Sequence, residues 1–161
     1  MFLEFPEDRN THYLDRQYMF GPSLLVAPVF GPQEEETEYY IPKGVWTYYW
    51  DQSRTVEGPM WIKERVPLDE IPIWIRPATV LVRGPSGRGR PDYDYAKDVH
   101  VDVFGLGDGQ QVVVRIPSHE KGEYVATLTT ERNGSKVSIK VTGGTVNIAA
   151  TELNDGSLQL E

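Results

Sequence analysis

The stretch EYYIPKGVWTYYW, Glu38–Trp50, decides how this chain is read. Aromatic and β-branched residues dominate it, and such side chains suit a pleated, half-buried surface. Glu38–Ile41 and Val45–Trp50 flank Pro42-Lys43-Gly44, so the spacing predicts two strands joined as a hairpin. Side chains alternate along a strand, which places Trp46, Tyr48 and Trp50 on one face.

Outward from this stretch the same grammar continues. Leu24–Val29 is a short apolar run that reads as a buried strand, Ile71, Ile73 and Ile75 alternate, and Thr79–Val82 favours a further strand. Residues 23–83 are therefore expected to form a first small sandwich. GPSGRGRP, at Gly84–Pro91, has the Gly and Pro content of a linker. Beyond it, Val99, Val101 and Val103 share a face, followed by the turn GLGDG at Gly105–Gly109. Val112–Ile116, Tyr124–Leu128, Val137–Val141, Val146 with Ile148, and Leu158 with Leu160 complete a second β series. Asn133-Gly134 between two of these runs is a hairpin signal. Residues 84–161 thus read as a second sandwich. The opening differs: Phe2–Phe5 is an apolar run stopped by Pro6, and Asn10–Phe20 predicts a short helix closed by Gly21 and Pro22. One such strand–helix unit cannot bury itself. The expected fold class is all-β, two small antiparallel sandwiches preceded by a strand–helix segment over residues 1–22.

Composition narrows the function. The chain has 161 residues, well short of the roughly 250 of a complete (β/α)8 barrel. Its 24 acidic side chains outnumber 16 basic ones, giving a formal charge of -8, which disfavours nucleic acid and anionic membranes as partners. With no cysteine there is neither a disulfide framework nor a thiolate metal site. No apolar run approaches the ~20 residues of a membrane-spanning helix, and MFLEFPEDRN lacks the features of a signal peptide. The compartment stays open, with the cytoplasm favoured.

No catalytic constellation stands out. His12, His100 and His119 lie in three separate segments, without metal-ligand spacing. Gly84-Pro85-Ser86-Gly87 is not a nucleophile elbow, and the same segment lacks the ending of a phosphate loop. Arg83, Arg88 and Arg90 read as solvated linker charge. Asp92, Asp94, Asp98 and Asp102 do not follow the spacing of a calcium loop and read as surface residues. Asn133-Gly134-Ser135 matches a glycosylation triplet and equally a plain turn. No cofactor is expected. Trp46, Tyr48, Tyr49, Trp50, Trp61 and Trp74 have two readings, a carbohydrate-stacking face, centred on Trp46, Tyr48 and Trp50, or, more commonly for such residues, sandwich core or interdomain packing.

FLEFPED (Phe2–Asp8), DRQYMFG (Asp15–Gly21) and SLLVAPVF (Ser23–Phe30) resemble, in order, the passage after the catalytic barrel of family 31 glycoside hydrolases. YYIPKGVWTYYW (Tyr39–Trp50) and IPIWIRPATVL (Ile71–Leu81) extend the resemblance. RPDYDYAKDVHVDVFGLGDG (Arg90–Gly109) is similar to the α-xylosidase branch. The resemblance implies a parent enzyme that cleaves terminal α-xylosyl or α-glucosyl residues with retention, using two aspartates on upstream barrel strands. It carries no catalytic residue onto this chain. Residues 1–22 would then be a remnant of the barrel's end, and the chain a C-terminal fragment serving as scaffold, its partner the missing barrel. Pro22 stands where members of the family commonly have Asp. The alternative is a stand-alone carbohydrate-binding module.

Overall fold

The computed structural model describes residues 1–32, 35–85, 93–118, 122–153 and 157–160. The chain divides into two compact units, Met1–Pro77 and Ala78–Glu161. Both are built from strands, as the alternation predicts, and no α-helix occurs among the described residues.

The strands of the first unit are β1 (Tyr18–Phe20), β2 (Leu24–Val26), β3 (Thr37–Tyr48), β4 (Thr55–Glu64) and β5 (Ile73–Ile75). They form one antiparallel sheet in the order β1-β2-β5-β3-β4. The expected hairpin at Pro42-Lys43-Gly44 is not a hairpin. Backbone pairing runs through it as a single twelve-residue strand, with a register shift between Ile41 and Gly44 against β4. Gly44 takes a positive φ of 129° there, and the freed Pro42 carbonyl accepts a hydrogen bond from Trp46 Nε1 at 2.9 Å. Opposite it, Gly58 must be a glycine, because a Cβ would lie 2.0 Å from the Pro42 oxygen. Leu25, Ile41, Tyr39, Trp46, Tyr48, Ile62 and Trp74 make the buried cluster on this sheet.

The predicted helix over Asn10–Phe20 does not form. Arg9–Thr11 is one 3-10 turn, with Asp8 Oδ1 accepting from the Asn10 N–H at 3.1 Å. Tyr18–Phe20 instead pairs antiparallel with Leu24–Val26, and Gly21, at φ 62°, serves this tight reversal rather than a helix end. The opening segment is also fastened to the sheet. Met1 and Phe5 pack against the buried cluster, and the Phe5 ring centroid lies 6.3 Å from that of Trp46. Arg76 binds Glu4 at 2.9 Å and covers the Phe5 ring at 4.9 Å. Gln17 clamps Tyr40, donating to its carbonyl at 2.8 Å and accepting from its N–H at 2.7 Å. Residues 1–22 thus share a unit with the sheet that follows.

The second unit begins earlier than the Gly84–Pro91 stretch, most of which lies outside the described residues. Its first strand, β6 (Thr79–Arg83), pairs with β7 (Val99–Phe104), and this ladder makes residues 78–83 part of the second unit. The other strands are β8 (Gln111–Pro117), β9 (Tyr124–Asn133), β10 (Lys136–Thr142), β11 (Ile148–Leu153) and β12 (Ser157–Leu160). They form two sheets, β11-β7-β6 and β12-β10-β9-β8. Val80, Val99, Val101 and Val103 from one sheet meet Ile116, Leu128, Val137 and Ile139 from the other in one apolar cluster. This is a β-sandwich, with the alternating valines facing inward as expected. Asn133 pairs with Lys136, so Gly134 and Ser135 form a two-residue loop in which Gly134 adopts φ 61°. Most pairs are antiparallel, but β11 runs parallel to β7 and β12 parallel to β10.

Candidate functional site

The aromatic face of β3 folds inward. Trp46 and Tyr48 are buried and present no ring to solvent. Trp50, just beyond the strand, is 49% exposed and donates from Nε1 to the Ile71 carbonyl at 2.8 Å. The core reading thus describes Trp46 and Tyr48, whose burial outweighs their value at a surface.

The densest chemistry in the first unit surrounds Glu64 at the end of β4. Tyr39 Oη donates to Glu64 Oε1, and Arg54 Nη2 holds Glu64 Oε2 at 2.7 Å. Trp74 Nε1 donates to Tyr39 Oη at 3.1 Å. The Arg54 guanidinium also lies over the rings of Tyr48, at 4.6 Å, and Trp74, at 5.0 Å. Tyr48 Oη in turn donates to Glu70 Oε2 at 3.0 Å. Burial, and then the hydrogen bond to Glu64, pushes the Tyr39 phenol well above its ordinary range. Burial followed by the Glu70 bond does the same for Tyr48. Burial pulls the Arg54 guanidinium down, but the contact with Glu64 outweighs it and holds the group above its usual value. Both phenols stay protonated at neutral pH and both act as donors. The network locks β3, β4 and the segment before β5 together; it offers no unpaired nucleophile or base.

A second feature lies on the opposite strand face. Tyr40 and Trp61 are directly paired across β3 and β4, with centroids 5.2 Å apart and planes tilted 53°. Trp61 is 47% exposed and lines a cleft of about 330 Å³ bounded by residues 13–17, 27–32 and 35–38. Trp61 is among the aromatics the sequence offers for sugar stacking, but Gly58-Pro59 beside it resembles a turn and hides the strand that carries it.

The remaining candidates disperse. His12 is exposed, with one ring nitrogen 3.0 Å from the Pro6 carbonyl, His100 sits on β7, and His119 lies outside the described residues. Asp94 shapes a turn by accepting from the Ala96 N–H at 2.9 Å. Asp98 takes a positive φ of 53° before β7, and Asp92 lies outside the described residues. Asp102, expected at the surface, is instead 2% exposed and paired with Arg83 at 2.5 Å. Arg83 reaches it because Leu81, two residues earlier, is the direct cross-strand partner of Asp102. Arg88 and Arg90 are not among the described residues. No group of three His, Cys, Asp or Glu placed to hold a metal occurs among the described residues.

Residues 1–81 match the glycosyl hydrolase family 31 C-terminal domain. The chain belongs to glycosyl hydrolase family 31. Residues 94–157 match a second C-terminal domain, that of alpha-xylosidase YicI. Over 160 residues the chain is 31% identical to alpha-xylosidase XylQ of Lactiplantibacillus pentosus, covering 96% of this chain and 20% of the relative. It is 34% identical over 165 residues to the lysosomal alpha-glucosidase of Mus musculus, covering 86% of this chain and 17% of that one. Among solved structures, the family 31 alpha-xylosidase from Xanthomonas citri superposes with a TM-score of 0.72 at 26% identity, covering 97% of this chain and 18% of the enzyme. This family 31 chain thus spans about a fifth of the length of these relatives. Both sequence matches name C-terminal domains, in agreement with the all-β architecture.

Proposed function

We propose that this chain is the C-terminal scaffold of a family 31 α-glycosidase of the α-xylosidase type, and that it carries neither catalytic aspartate. The parent enzyme would hydrolyse terminal α-xylosyl or α-glucosyl residues with retention, on a barrel that packs against the first unit. The observation that carries this reading is the pair of consecutive matches, 1–81 and 94–157, each to a C-terminal domain. The match of residues 94–157 favours a xyloside over a glucoside as the parent's substrate.

The surface of the first unit supports a packing role. Phe2, Leu3 and Phe20 are large apolar side chains left exposed. Exposed apolar groups of this size favour a covering partner. Around Glu64 the polar groups are engaged in structural bonds rather than offered as a nucleophile and an acid. The test is hydrolysis of p-nitrophenyl α-xyloside and α-glucoside by this polypeptide alone. No nitrophenol above the buffer blank is expected. Release that is saturable in substrate and proportional to protein overturns the proposal.

A further inference from the structure

The exposed half of Trp61 has no structural work that requires exposure. One side of its indole is backed by Tyr40, and Tyr40 is itself held in place. Its Oη donates to Asp8 Oδ2 at 2.6 Å and accepts from Asn10 Nδ2 at 3.3 Å, and Gln17 bonds both of its backbone groups. The result is an aromatic surface whose position is set before any ligand arrives. Preorganisation of this kind lowers the entropy lost on binding.

What surrounds it narrows the ligand. The cleft, at about 330 Å³, lies at the small end of the ~300–1,000 Å³ range of ligand sites. Glu38 stands opposite Lys63, two residues along each strand from Tyr40 and Trp61, on the same face. Lys63 reaches Glu36 at 3.4 Å, and Glu36, Glu38 and Asp15 border the cleft with Arg16. Such a rim repels an anion, and its carboxylates do not converge in a metal-holding group among the described residues. An apolar ligand would offer Asp15 and Glu38 no hydrogen-bond donor. A ring with apolar C–H faces and a belt of hydroxyls satisfies both parts: its face lies on the indole while its hydroxyls donate to carboxylates and accept from Arg16.

We propose that the cleft beside Trp61 is a non-catalytic binding site for a neutral saccharide of one or two pyranose rings. It stands independently of the scaffold reading, since a scaffold needs no sugar site and a sugar site does not require an absent barrel. The proposal moves sugar contact away from the β3 aromatics, two of which are buried, to an exposed ring on β4.

The experiment is calorimetric titration of the whole chain with xylobiose, maltose and calcium chloride, with the Trp61→Ala, Trp61→Phe, Glu38→Gln and Trp50→Ala variants alongside. Saturable binding of at least one disaccharide is expected. It should weaken at least about tenfold in Trp61→Ala and be substantially retained in Trp61→Phe, because loss of an aromatic contact is on the order of one tenfold step. Glu38→Gln should weaken it several-fold, and Trp50→Ala should leave it unchanged. Equal thermal midpoints in wild type and Trp61→Phe keep the comparison free of unfolding. The proposal is overturned by absence of saturable binding to either sugar. Binding that survives Trp61→Ala, or calcium binding at the cleft in place of sugar, overturns it as well.

Discussion

Gly58 and Pro42 approach each other so closely across the β3–β4 ladder that the prolyl oxygen occupies the place of a side chain. A Cβ built on Gly58 would lie 2.0 Å from Pro42 O and 2.7 Å from Ile41 O. Both obstacles are backbone atoms and neither can rotate away. Gly58→Ala should therefore force the register shift at Ile41/Gly44 to open, at a cost of about 1–3 kcal/mol, as for other overpacked sites. The urea midpoint reads this directly; an unchanged midpoint would mean that the ladder yields without penalty.

Trp46 and Trp50 differ by four positions and should differ greatly in their contribution to stability. Trp46 is fully buried with its indole N–H on the Pro42 carbonyl, so Trp46→Ala should cost about 3–5 kcal/mol. Trp50 is half-exposed and forms one hydrogen bond, to Ile71 O, so Trp50→Ala should cost about 1 kcal/mol. Thermal or urea denaturation of the two variants provides the comparison, and equal losses would contradict the inward reading of β3.

Alkaline pH should destabilise the first unit. The phenols of Tyr39 and Tyr48 are raised, first by burial and then by hydrogen bonds to Glu64 and Glu70, whereas an unfolded tyrosine titrates near pH ~10. Above that value the native state holds protons that the unfolded state has released. The stabilisation is therefore complete below pH about 10 and declines as pH rises further. Tyr39→Phe removes one such group, so its unfolding midpoint should fall less steeply between neutral and strongly alkaline buffer. Parallel curves for wild type and variant would remove Tyr39 from this account.

Arg83 and Asp102 form an asymmetric pair, with the carboxylate buried and the guanidinium partly exposed. Asp102 Oδ1 has no hydrogen-bond partner, so the Arg83 contact carries most of the compensation for a charge held away from water. Arg83→Met should cost about 3 kcal/mol or more by stranding that charge, whereas Asp102→Asn keeps the volume and removes it. The ordering of the two variants in urea is the measurement, and a larger loss in Asp102→Asn would reverse the argument.

Much of the fold was legible where local chemistry and tertiary pairing agree. The alternating valines of β7 and the Asn133-Gly134 reversal depend on period and on φ, both written in consecutive residues. The strand β4 was illegible because Gly58-Pro59 signals a turn and because Met60 and Trp61, adjacent in sequence, are both exposed. Residues 10–20 misled for a related reason. Gly21 ends a helix or turns a hairpin equally well, and only pairing with Leu24–Val26 decides between them. The Glu64 network and the Tyr40–Trp61 platform depend on register between β3 and β4, which sequence spacing alone does not encode. Family membership was legible because it resides in ordered motifs along the chain.

The two parallel pairs at the end of the second unit have a consequence for the order of assembly. β11 adds to the sheet of β6 and β7, while the strand after it, β12, adds to the other sheet beside β10. Neighbours in sequence therefore stitch opposite layers of the sandwich. During synthesis each layer waits, with one flank uncovered, for strands that follow β10 in the chain, and the contacts that complete both span long stretches of chain. Such closure is slow compared with forming the β9–β10 hairpin. Until β11 and β12 are in place, the β7 flank of one layer and the β10 flank of the other stay open borders.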